Sequence, residues 1–85
     1  MKKITIYTTQ VCPYCVRAKR LLEKKGAAYE ELRVDLNPEL IKEAVEKSGG
    51  LRTVPQIFID DYHVGGCDEL YALERENKLD SLLEA

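Results

Sequence analysis

The chain has 85 residues, 45% of them hydrophobic and 33% charged, with a formal net charge of −2. A chain of this length supports one small core, so a single domain over residues 1–85 is expected, and the weakly acidic balance argues against the basic surface that nucleic acid requires. No apolar run approaches the roughly 20 residues that cross a bilayer, and the apolar run after Lys2-Lys3 falls short of the roughly 7–15 residues of a secretory signal. A cytoplasmic, monomeric protein with no membrane contact is therefore expected.

Lys3 to Thr8 alternates Ile4 and Ile6 with Thr5 and Tyr7. This predicts a strand, central in its sheet because both faces are apolar or aromatic. Thr9-Gln10-Val11 is a short loop, after which Cys12 falls at a helix N-cap and Pro13 in the first turn, where its missing N–H costs nothing. That helix runs to about Lys25, with Cys15, Ala18, Leu21 and Leu22 on its inner face and Gly26 as its stop. Ala28 to Val34 reads as a second strand, completing a strand–helix–strand unit with parallel strands. Asn37 and Pro38 open a second helix, with Ile41, Ala44 and Val45 as its inner stripe and Gly49-Gly50 at its end. Gln56-Ile57-Phe58-Ile59 is the clearest strand, and Asp60-Asp61 turns it into a return strand, Tyr62-His63-Val64. Gly65-Gly66 breaks that strand. A third helix follows from Cys67 or Asp68 to about Glu76, and Leu79, Leu82 and Leu83 suggest a last helical turn. This order fits an α/β fold with one four-stranded mixed sheet and helices on both faces. It could bring the cysteine loop, Pro55 and Gly65-Gly66 together at one end of the sheet.

The chemistry centres on Cys12-Pro13-Tyr14-Cys15. A C-x-x-C before a helix, in a strand–helix–strand setting and a cytosolic chain, reads as a redox pair. Cys12 at the N-cap lies near unpaired backbone N–H groups and the positive end of the helix dipole, which favour the thiolate, the nucleophilic form. Cys15 is one turn along and faces inward. The spacing thus predicts an asymmetric pair in which an exposed Cys12 attacks and Cys15 resolves the mixed disulfide. Two blander readings compete: an ordinary buried cysteine pair, and a zinc site. Zinc normally takes four Cys or His ligands, and three cysteines with His63 on a distant strand supply them poorly, so no metal is expected. His63 reads as an ordinary strand residue. Charge is uneven: residues 1–34 carry eight basic and three acidic side chains, and residues 35–85 carry five and twelve. The basic half holds the redox pair and could favour thiolate and an anionic substrate, although a solvated basic helix face explains most of those lysines.

Three motifs in order, Cys12-Pro13-Tyr14-Cys15, Thr53-Val54-Pro55 and Gly65-Gly66-Cys67-Asp68, resemble the dithiol glutaredoxins, in particular the bacterial glutaredoxin 3 type, along nearly the whole chain. The resemblance implies a thioredoxin-like fold and a glutathione-dependent reductase of protein disulfides and protein–glutathione mixed disulfides. It assigns Cys12 as nucleophile and Cys15 as resolving cysteine. Glutathione would meet the Tyr14 ring, Thr53, the Val54 backbone beside a cis Pro55, and Cys67 and Asp68 at the γ-glutamyl end. Arg52 is a candidate for the glycyl carboxylate, because Thr9 stands where many glutaredoxins carry a lysine for that contact. Two other functions fit less well. One is a hydrogen donor for ribonucleotide reductase fed by thioredoxin reductase, a group with a Trp-containing segment that this chain lacks. The other is a non-enzymatic iron–sulfur carrier, a role commoner with a single active-site cysteine.

Overall fold

The apolar and aromatic residues of Ile4–Thr8 build strand β1, and a computed structural model describes residues 2–84. Helix α1 (Pro13–Lys24), strand β2 (Tyr29–Arg33), helix α2 (Pro38–Lys47), the hairpin strands β3 (Gln56–Ile59) and β4 (Tyr62–Gly65), and helices α3 (Cys67–Arg75) and α4 (Leu79–Leu83) follow in order. The four strands form one mixed sheet in the order β2-β1-β3-β4. β1 runs parallel to β2 and antiparallel to β3, with Tyr7 opposite Gln56. β1 is central, as its two apolar faces predict.

Each face of the sheet has its own core. Ile4 and Ile6 of β1 and Ile57 and Ile59 of β3 pack with Ala18, Leu21 and Leu22 of α1, Leu70 of α3, and Leu79 and Leu83 of α4. Fully burying a side chain such as Leu22 or Leu70 contributes about 1.5–3 kcal/mol. On the opposite face Tyr7, Val34 and Phe58 pack with Ala44 of α2, and Leu40 rests against them. The Tyr7 hydroxyl donates to Glu43 Oε2 at 2.6 Å, tying α2 to the central strand.

Local signals set the helix ends. Asn37 Oδ1 accepts the Glu39 N–H at 3.0 Å, and Pro38 occupies the first turn of α2. Gly26 takes a φ of +69° after α1, a region that glycine enters at little cost.

Three details depart from the sequence reading. The second strand is shorter than residues 28–34 and lies at the sheet edge with Glu30 and Glu31 exposed, which explains its imperfect alternation. The inner stripe of α2 is Leu40 and Ala44, with Glu43 alongside; Ile41 is exposed, and Val45 is only half-buried. Gly65 does not break the return strand but closes it, pairing with Ile57.

Candidate active site

The end of β1 and the start of β3 are neighbours in the ladder, so the loops attached to them meet. The loop after β1 delivers Cys12 as the N-cap of α1, with Pro13 behind it. Its Sγ accepts the Cys15 N–H at 3.1 Å, so the cysteine itself caps the helix that follows it. Cys12 and Cys15 are joined as a disulfide, their Cα atoms 5.2 Å apart. Cys15 is 1% exposed and Cys12 is 9%. The asymmetry has the expected direction, but Cys12 is less open than its N-cap position suggests. In the oxidised pair its sulfur turns onto Cys15 and lies 3.9 Å from the Val54 carbonyl oxygen.

The loop before β3 supplies Thr53, Val54 and Pro55, and the Val54–Pro55 peptide is cis. Among the described residues no hydrogen bond within the chain engages the Val54 N–H. The third wall is the start of α3. Gly66 is its N-cap and cannot cap with a side chain; instead the Glu69 carboxylate reaches back to accept the Gly66 N–H at 2.7 Å. A Cβ on Gly66 would lie 3.3 Å from Glu69 Oε1 and 3.4 Å from the Pro55 carbonyl oxygen, so α3 starts in contact with the Pro55 loop. Gly65, at a φ of +113°, leaves room for the Glu69 side chain.

Tyr14, Thr53, Val54, Pro55, Cys67 and Asp68 line one open cleft. All six residues that the sequence places around a ligand are thus brought together beside Cys12. Tyr14 is half exposed, as a side wall would be. Burial pushes the Cys67 thiol above its usual value, outweighing the opposite pull of Arg17, and Asp68 and Glu69 add to the rise. That direction disfavours the thiolate form at Cys67. Arg52 does not face this cleft; it lines a separate groove with Pro38, Ile41 and Val45. Leu51 occupies that side of the cleft instead. His63 sits on the hairpin, its ring stacked on Phe58.

Sequence reasoning missed Glu69 and Gln56. The Gly66-x-x-Glu69 spacing carries half of a capping-box pattern, obscured because glycine replaces the usual Ser or Thr. Gln56 is a polar residue at the head of an apolar strand, and its link to His63 becomes visible only with the hairpin register.

Comparison with known proteins decides the family. The glutaredoxin family model matches residues 4–64. The chain belongs to the glutaredoxin family. It is 51% identical over 84 residues to glutaredoxin 3 of Escherichia coli (strain K12), covering 99% of this chain and all of that one. The solution structure of glutaredoxin from Brucella melitensis superposes with a TM-score of 0.85 at 58% identity, covering 98% of this chain and 89% of that one. A crystal structure of a buckwheat glutaredoxin–glutathione complex gives a TM-score of 0.85 at 34% identity, covering 94% and 74%. The fold is thioredoxin-like, and this glutaredoxin is a glutathione-dependent disulfide oxidoreductase whose dithiol is the Cys12–Cys15 pair. Among the described residues, no helix of this glutaredoxin is long and apolar enough to cross a membrane.

Proposed function

We propose that the cleft beside Cys12 holds the glutathionyl half of a mixed disulfide, with Cys12 as nucleophile and Cys15 as resolving thiol. The observation that carries this reading is the convergence of Tyr14, Thr53, Val54, Pro55, Cys67 and Asp68 on one cleft next to a sulfur at a helix N-terminus. The unengaged Val54 N–H suits backbone pairing with the cysteinyl unit of glutathione, as an added strand. The first-turn N–H groups of α3 suit the γ-glutamyl carboxylate, and the Asp68 carboxylate suits its ammonium. The complex that the buckwheat glutaredoxin forms with glutathione supports glutathione as the occupant. On this reading the protein is a single-domain, cytoplasmic monomer that acts on disulfide-bonded or glutathionylated proteins.

The chemistry follows from the two sulfurs. The Cys12 thiolate attacks the glutathionyl sulfur of the mixed disulfide. The Cys12–glutathione bond forms, the bond to the substrate breaks, and the substrate leaves as a thiolate that takes up a proton. A second glutathione thiolate then attacks the same glutathionyl sulfur, giving glutathione disulfide and free Cys12. For a protein disulfide, Cys12 first joins the substrate and Cys15 then attacks Cys12. The Cys12–Cys15 disulfide forms, the reduced substrate leaves, and two glutathiones return the pair to the dithiol.

A glutathione-coupled assay on Cys12→Ser and Cys15→Ser tests the assignment. Cys12→Ser should be inactive on both substrate classes. Cys15→Ser should keep deglutathionylation and lose reduction of protein disulfides that need both thiols. Activity retained in Cys12→Ser sinks the assignment of the nucleophile. Turnover with thioredoxin reductase in place of glutathione would favour the hydrogen-donor reading instead.

A further inference from the structure

Along the Thr53-Val54-Pro55 edge runs a polar chain that the redox chemistry does not use, headed by Gln56, a nearly buried residue that also borders the cleft. Gln56 is 2% exposed, yet its side-chain amide is fully engaged. Its Nε2 donates to the Thr53 carbonyl oxygen at 3.0 Å and to Thr53 Oγ1 at 3.2 Å. Its Oε1 lies 2.7 Å from His63 Nε2. The orientation of this amide is fixed by chemistry. The Thr53 carbonyl can only accept, so the NH2 group must face Thr53 and the oxygen must face His63. His63 Nε2 must therefore carry a hydrogen. The His63 ring is in turn held by Phe58, stacked on it with centroids 4.8 Å apart.

The consequence lies in one peptide plane. The Thr53–Val54 peptide is trans, because the cis bond of the segment is Val54–Pro55. In a planar trans peptide the C=O and N–H point in opposite directions. Drawing the Thr53 carbonyl toward the buried Gln56 amide turns the Val54 N–H the other way. That is the N–H left without an internal partner among the described residues, and Val54 lines the cleft.

We propose that Gln56, oriented by His63, is a positioning residue for glutathione recognition: it aims the Val54 N–H at the bound glutathionyl unit. The proposal rests on the groove reading above. It assigns specificity to two residues that touch neither sulfur. The Gln56 amide sets the peptide plane, and the His63 N–H keeps the amide from rotating.

The test is the equilibrium between the glutathionylated Cys12 protein and free glutathione, measured in a Cys15→Ser background so that no intramolecular disulfide competes. The readout is the ratio of Cys12–glutathione mixed disulfide to free Cys12 in a glutathione redox buffer. Gln56→Leu, which removes both donors to Thr53, should shift this ratio toward free Cys12 by about five- to tenfold, the worth of one net hydrogen bond. His63→Phe, which keeps a ring over Phe58 but loses the N–H, should shift it in the same direction by about two- to fivefold. The alkylation rate of reduced Cys12 by iodoacetamide should stay within about twofold in both variants, because the helix N-terminus around the sulfur is unchanged. A general loosening of the site would instead change alkylation and the equilibrium together, and would overturn the proposal. Asp68→Asn in the same background separates the groove from its positioning residues. If Asp68→Asn shifts the ratio and neither Gln56→Leu nor His63→Phe does, the positioning role is wrong and the groove stands. If none of the three shifts it, the groove reading and the positioning role both fall. Should Gln56→Leu fold poorly, His63→Phe alone decides, since His63 is only half-buried and its replacement preserves the stacking.

Discussion

Replacing Gly65 by alanine should cost more stability than any surface substitution in this chain, and the cost can be built up from geometry. Gly65 has a φ of +113°, a conformation that L side chains rarely adopt. Holding a non-glycine residue there costs about 1–3 kcal/mol. Alanine recovers about 0.4–1 kcal/mol by restricting the unfolded chain. A second cost comes from contact: the new Cβ would stand 2.9 Å from Glu69 Oε1, 3.0 Å from its Cγ and 3.2 Å from its Cβ. The carboxylate cannot swing aside freely, because it accepts the Gly66 N–H that starts α3. Losing that bond costs about 0.5–1.5 kcal/mol. The net runs from about 0.5 to about 4 kcal/mol with its centre at about 2, and that central value lowers Tm by about 10–15 °C for a domain of this size. Thermal unfolding followed by circular dichroism measures it. Gly65→Ala/Glu69→Ala provides the internal control. The second substitution removes the Oε1 and Cγ contacts, so the double variant should be more stable than the summed single effects predict, by about 0.5 kcal/mol or more. A Tm loss under about 3 °C in Gly65→Ala, or strict additivity in the double variant, would refute the reasoning.

Two other outcomes test the frame around the site. Burial, and then the hydrogen bond to Glu43, push the Tyr7 phenol well above its ordinary value of 10.0. Burial, and then a bond to Glu23, push Tyr29 up to about 12. The folded chain therefore holds these protons more tightly than the unfolded chain, so their stabilisation is complete below about pH 10 and is lost as pH rises toward the folded values. Urea unfolding at about pH 9 and about pH 11 should show a smaller drop for Tyr7→Phe than for the parent, and an equal drop would contradict the assignment. Leu79→Ala should cost about 2–5 kcal/mol, since Leu79 is fully buried and anchors α4 to the larger core; a loss under about 1 kcal/mol would mean that α4 is dispensable.

The parts of this structure that were legible in the sequence are those fixed by neighbours in the chain. Cys12 with Pro13 and Asn37 with Pro38 announce helix starts because capping involves residues two or three positions apart. The inner stripe of α2 was not legible in the same way. Residues 40, 43, 44 and 47 and residues 41, 44, 45 and 48 are adjacent frames, rotated by about 100° on a helix. The choice between them lies in the opposing surface, where Tyr7 needs a partner for a buried hydroxyl and Glu43 provides it. A hydrophobic pattern passes over that frame because its contact is polar. The cleft walls were legible through family motifs, and the structure brings them together. Arg52 lines a groove next to the cleft although its neighbours in sequence line the cleft itself, a difference of side-chain direction that spacing along the chain does not carry. The Gln56–His63 link depends on a hairpin register that shifts between Ile57 and Phe58. Alternation alone would not find it.

The pairing of Tyr7 with Gln56 at one end of the central strands has a dynamic consequence. Cys12 and Pro55 hang from β1 and β3, the two inner strands of the sheet, each with a neighbour on both sides. Opening either outer strand leaves that inner ladder in place. Amide hydrogens on β1 and β3 should therefore be among the last to exchange, with those of β2 leaving earlier. The Cys12 loop and the Val54-Pro55 edge are thus both anchored on the part of the sheet expected to open last.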